Sequence, residues 1–167
     1  MKFLLLALGF FSGTYKSSSQ QNATTVLNTM SGFVDQYNKS FDKTSVKDKL
    51  IVFYVAGLDD PLTLVFDKLK DKKIVDGENV QLMAGFGKMS GHMSASDGMK
   101  HMQSGFKTKY GDSFFSILLD IKGDLETQLK TTGMAIITIS KKDNTMTYTD
   151  YGTDRKKFLD ALNEYFK

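Results

Sequence analysis

The hydrophobic positions along this chain change their period several times, and each change marks an element. From residue 25 to 41, Val26, Met30, Phe33, Val34, Tyr37 and Phe41 recur at steps of four, three, one, three and four. That spacing lines one face of a 3.6-residue period and predicts an amphipathic helix over 25–41, with Gly32 in its middle. Residues 50–56, LIVFYVA, are then continuously apolar, β-branched and aromatic. Such a run predicts a strand covered on both faces, as in a parallel sheet between helices. Asp60-Pro61 offers the next helix start, the carboxylate to cap free amides and the proline for the first helical position. Its apolar stripe is Leu62, Val65, Phe66 and Leu69.

Further along, the pattern predicts a second strand over 80–86 and a helix from about Ser96-Asp97 to Tyr110, Asp97 capping it and Gly111 stopping it. A third strand over 114–119 and a short helix over 124–130 follow. Residues 134–139 and 145–149 flank Asp143-Asn144 and predict an antiparallel hairpin. Asp154 caps a last helix with the stripe Phe158, Leu159, Leu162 and Phe166. Strands alternating with helices and closing on a hairpin plus helix predict an α/β fold.

The stretch FFSILLDIKGDLETQLKTTGMAIITISKKDNTMTYTDYGTDRKKFLDALNEYF resembles the C-terminal half of peroxiredoxin-type members of the thioredoxin-like superfamily. In those proteins a strand ending in Asp, a short helix, a strand, a KKDN-like turn and a strand precede the last helix. The resemblance spans about residues 48–166 and is one of pattern and order. A weaker likeness is to a cysteine-poor thioredoxin-like domain of some extracellular-matrix proteins. It implies a mixed sheet of about five strands flanked by helices, with the 25–41 helix as an N-terminal addition.

The departures from that family bear on chemistry. Its redox members carry a cysteine at the first strand-to-helix turn, where a helix N-terminus and a local cation stabilise the thiolate. Here that turn is Gly57-Leu58-Asp59-Asp60-Pro61, and the whole chain contains no cysteine. The family's cis-proline before the hairpin is replaced by Thr131-Thr132-Gly133, Pro61 being the only proline. Thioredoxin or peroxiredoxin activity is therefore excluded by composition, and the expectation is a redox-inactive, non-catalytic member.

Residues 1–19 add a compartment. Lys2 precedes the apolar run FLLLALGFF, with small residues at Ser12-Gly13 and again at Ser17-Ser18-Ser19. This is the pattern of a secretory signal peptide, too short to span a membrane. The expected organisation is a signal and the start of a linker over 1–19, then one domain over 20–167, with residues 14–24 as linker. Asn22-Ala23-Thr24 and Asn38-Lys39-Ser40 are acceptor sequons, so Asn22 and Asn38 are expected glycosylation sites on that route. The formal charge is +3, from 22 basic and 19 acidic residues without a run of five like charges, which argues against a nucleic-acid partner. A protein or a small ligand is the expected partner.

One segment looks like a chemical site. GKMSGHMSASDGMKHMQSGF, residues 87–106, sets Met89, Met93, Met99 and Met102 around the chain's two histidines, His92 and His101. Thioether sulfur suits Cu(I) and imidazole suits Cu(II), so Met89, His92, Met93, His101 and Met102 are the candidate ligands of an extracellular copper site. On a helix, Met99, Met102, Phe106 and Tyr110 form an i, i+3, i+7, i+11 stripe, the competing packing explanation. Asp59 and Asp60 are candidate acid–base or cation-binding carboxylates, although helix capping and the helix dipole are the favoured account of them. Asp143, Asn144, Asp150 and Asp154 sit where turns and caps need them. No phosphate loop and no serine triad can be assembled.

Overall fold

A computed structural model describes residues 22–56, 65, 67, 80–85, 94–110, 115–131 and 133–165. Among these, six strands form one sheet in the order β1-β4-β3-β2-β5-β6. The strands are β1 (Val34–Asp35), β2 (Lys49–Ala56), β3 (Val80–Gly85), β4 (Ile117–Asp120), β5 (Met134–Ser140) and β6 (Thr145–Gly152). The helices are α1 (Ala23–Met30), α2 (Ala95–Tyr110), α3 (Asp124–Leu129) and α4 (Arg155–Tyr165). β2, β3 and β4 run parallel, while β5 is antiparallel to β2, β6 to β5 and β1 to β4.

The continuous apolar run of β2 serves both sides of the sheet, because successive side chains of a strand point to opposite faces. Leu50, Val52 and Tyr54 pack with Val26, Leu27 and Met30 of α1 and with Leu125 and Leu129 of α3. Phe53 and Val55 pack on the other face with Phe158 and Leu162 of α4 and with Val65. Val65 and Asp67 are helical, and Val65 is buried, in line with the helix expected after β2. The hairpin turns at Asn144, whose φ of 50° is a left-handed value that asparagine tolerates. Asp154 caps α4 as expected, its Oδ1 accepting the Lys157 amide at 3.1 Å.

Four expectations need correction. The helix predicted over 25–41 is an eight-residue helix that ends at Met30. Beyond it, Asp35 accepts the amides of Tyr37 and Lys39, and Asn38 takes a φ of 64°, so residues 35–39 form a turn. Phe33 and Phe41 are buried nonetheless, joined by a Phe41 amide to Phe33 carbonyl bond of 3.2 Å, whereas Tyr37 is 49% exposed. The sheet accordingly has six strands rather than about five, the extra one being β1, which lay inside the predicted helix. Asn22 to Thr24, expected in a linker, start α1 instead. Finally, the cap of α2 is Ser94: its hydroxyl oxygen accepts the Asp97 amide at 3.1 Å, and it donates to the Asp97 carboxylate at 2.6 Å.

Candidate functional site

In open α/β sheets, ligands bind outside the carboxyl ends of the parallel strands. Here those ends are tied together by Asp120, the last residue of β4 and fully buried. The chain turns at Gly123, φ 72°, and starts α3 so that its first amides face back toward β4. Asp120 Oδ1 accepts the Asp124 amide at 2.7 Å. Its Oδ2 accepts the Leu125 and Glu126 amides at 2.9 and 3.0 Å and the Tyr54 hydroxyl at 3.3 Å. Every group bonded to it is a donor, so the side chain serves here as an acceptor alone.

Tyr54 reaches this carboxylate from β2 by crossing Gly85 at the end of β3. A Cβ on Gly85 would collide with the Tyr54 hydroxyl, so glycine is required there by close approach. Burial, and then the charges of Asp120 and Glu126, push the Tyr54 hydroxyl far above the usual phenol range. The phenol therefore keeps its proton and donates a hydrogen bond to Asp120. The cluster ties the ends of β2, β3 and β4 together.

The outer side of the same corner borders a cleft of about 590 Å³ between α1, α3 and the β1–β4 margin. Phe33, Val34, Leu119 and Ile121 supply apolar surface, with Lys122 and Asp124 as charged groups at the rim. Thr29 of α1 donates to Gln128 of α3 at 2.9 Å and holds the two helices beside it. The volume lies in the range of small-ligand sites, about 300–1,000 Å³.

None of the described residues singled out by sequence bonds to Asp120. Met89, His92, Met93, Asp59 and Asp60 lie outside the described residues. His101 is exposed on α2, and Met102 follows it on the same helix. Among the described residues, no group of three or more His, Cys, Asp or Glu is placed to hold a metal. Asn22 is exposed and caps α1, its Oδ1 accepting the Thr25 amide at 2.8 Å. Asn38 is exposed at the tip of the 35–39 turn. Asp143 accepts from Ser140, Asp150 accepts from Thr131 and the Gly152 amide, and Asn144 accepts the Thr24 amide and hydroxyl, so these serve turns and caps. Asp35, Gln36, Gln81, Asp120 and Glu126, the buried polar groups of this side of the sheet, were not singled out; only the strand-ending Asp of ILLDIKGD left a trace.

No protein-family model matches the chain, and no curated protein matches it. Solved structures do. It is similar to the pneumococcal exposed lipoprotein thioredoxin Etrx1 of Streptococcus pneumoniae, at 14% identity and a TM-score of 0.54, covering 79% of this chain and 96% of that one. It is also similar to a secreted Mycobacterium tuberculosis disulfide oxidoreductase homologous to Escherichia coli DsbE, at 14% identity and a TM-score of 0.50, over 79% and 93% of the two chains. M. tuberculosis DsbF matches at 12% identity and a TM-score of 0.50, over 79% and 92%. With a mixed sheet in this strand order, helices on both faces and these likenesses, the chain has a thioredoxin-like fold, carried by a sequence without cysteine.

Proposed function

We propose that this protein is a secreted, non-catalytic thioredoxin-like binding module whose partner is a protein or a small ligand. The observation that carries the reading is the pairing of this fold with a chain that has no cysteine. Thiol–disulfide exchange proceeds by thiolate attack, and no side chain here supplies one. The engaged state of Asp120 and Tyr54 supports it further, since both groups are committed to holding the strand ends. The cleft beside Ile121 and Lys122 is a candidate binding surface for the partner. Secretion is supported by the N-terminal pattern, and two of the structures it resembles are described as exposed or secreted. On that route Asn38, exposed on a turn, is the acceptor most open to a glycan.

Two measurements test this. The purified chain, assayed for reduction of insulin disulfides and of hydrogen peroxide with dithiothreitol as reductant, should give no rate above buffer; turnover overturns the non-catalytic reading. The full chain expressed in a eukaryotic secretory host should reach the medium with its N-terminus removed before Asn22. Retention in the cytosol with Met1 intact overturns secretion.

A second reading, extracellular copper binding through Met89, His92, Met93, His101 and Met102, is favoured by the solvent exposure of His101. Cu(I) titration under reducing conditions decides it. Stoichiometric binding lost on joint replacement of Met89, His92 and Met93 supports it, and binding no tighter than that of a scrambled peptide ends it.

A further inference from the structure

β6 is the outer strand of the sheet. β5 pairs with one side of it, and among the described residues no strand pairs with the other. Free edges are ordinarily blunted by lysine, proline, shortness or a bulge, because unpaired backbone groups recruit further strands. β6 is eight residues long, and its first five, Thr-Met-Thr-Tyr-Thr, hold no charge and no proline. The irregularity in the β5–β6 register lies at the far end, between Met134 and Ala135. Asp150 is the only charged residue of the strand, and its carboxylate is turned onto its own chain, toward Thr131 at 3.0 Å and the Gly152 amide at 2.9 Å.

The order of side chains specifies the occupant. A strand that pairs antiparallel with its own copy meets its sequence reversed. A two-fold axis perpendicular to the sheet keeps each side chain on its face, so facing residues differ by an even number of positions. Thr-Met-Thr-Tyr-Thr has the same pattern in both directions about Thr147. Centred there, Thr147 faces Thr147, Thr145 faces Thr149 and Met146 faces Tyr148 of the other copy. Met146 and Tyr148 are half-buried against the core on the α1 face, and pairing would extend that apolar surface across the junction. Thr145 and Thr147 are exposed, and cross-strand threonine pairs stabilise such a face.

We propose that β6 is a dimerisation edge, two copies of the chain joining antiparallel about Thr147 into one continuous sheet. The absence of cysteine makes a clean test available. Under oxidation, Thr147→Cys should crosslink two copies, since residues facing across a two-fold lie at about 4.5–5.5 Å between Cα atoms. Thr145→Cys, equally exposed, sits about 14 Å from its counterpart in this register and should not crosslink. Sedimentation should show a monomer–dimer equilibrium for the unmodified chain, weakened at least about tenfold by Thr147→Lys, which sets two ammonium groups against each other. Circular dichroism confirms that the lysine variant is folded. A chain that stays monomeric up to about 1 mM overturns the proposal and leaves this edge to an extended segment of another protein. Crosslinking of Thr145→Cys as readily as Thr147→Cys overturns the pairing about Thr147.

Discussion

On its β1 flank the sheet ends in two residues of strand held by buried polar side chains; on its β6 flank it ends in eight residues with threonines in solvent. Asp35 accepts two amides of its own turn through Oδ1 and the Ser116 hydroxyl through Oδ2. Gln36 reaches across to β4, its Oε1 accepting the Ile117 amide at 2.7 Å while its Nε2 donates to the Phe115 carbonyl at 3.0 Å. Gln81 of β3 donates to the Leu82 and Ser116 carbonyls. With Ser40 bridged to Val34, the chain here closes its own edge. The β5–β6 flank rests mainly on its backbone ladder and on apolar packing that includes Met146 and Tyr148. Buried polar groups need partners and so fix one geometry, whereas a ladder edge stays able to accept one more strand.

The largest way to break this contrast is at Asp120, next to the closed flank. Asp120→Asn keeps the shape but presents an NH₂ to amides that can only donate. It should cost about 4 kcal/mol in denaturant unfolding, the loss of several charge-assisted bonds in a buried site. A cost below about 1 kcal/mol would mean that α3 is not held from inside the sheet.

At Asp35 the same logic separates two substitutions. Asp35→Ala leaves the Tyr37 and Lys39 amides and the Ser116 hydroxyl without their acceptor and should cost about 3 kcal/mol. Asp35→Asn retains Oδ1 for the two amides and can donate to the Ser116 oxygen, so about 1 kcal/mol is expected. Equal losses for the pair would show that charge, rather than acceptor geometry, closes this edge.

These two sites also show what was legible in the sequence. β2, β3, β5 and β6, the hairpin turn and the last helix all follow from local period and turn chemistry, because each element carries its own pattern. Residues 31–41 do not. Phe33 and Phe41 keep a helical spacing that arises from a loop folded back on itself, and Gly32 with Asp35 decides against the helix. The buried polar network is invisible for a related reason. An aspartate at a strand end looks the same whether it faces water or four donors, and only the register placing Gly85 beside Asp120 distinguishes them. The Met/His segment, conspicuous in sequence, contributes one described imidazole, that of His101, and it points to solvent.

A pH scan sharpens the contrast further. Tyr54 is held neutral on the closed side of the sheet, with its pKa raised in the folded chain, so the unfolded chain releases this proton first. Its contribution is fully present below about pH 10, where unfolded tyrosine titrates, and is lost as pH rises above that. Tyr54→Phe should flatten the alkaline decline in stability while removing one donor to Asp120 at neutral pH. An unchanged alkaline slope would show that Tyr54 ionises like an exposed phenol.

The smallest effect is expected on the open flank and is informative because it is small. Thr145 is exposed and lies opposite Ser140 at the first pair of the hairpin. Thr145→Lys should change the unfolding free energy of the dilute, monomeric chain by no more than about 0.5 kcal/mol, as surface substitutions away from caps and cores do. Measured again at high protein concentration, the same variant should fall behind the unmodified chain, since mass action then adds the association that a lysine on the edge opposes. A gap that opens with concentration makes β6 an interface. A gap already present in the dilute chain would instead make Thr145 part of the fold, and the two flanks would differ less than their hydrogen bonds indicate.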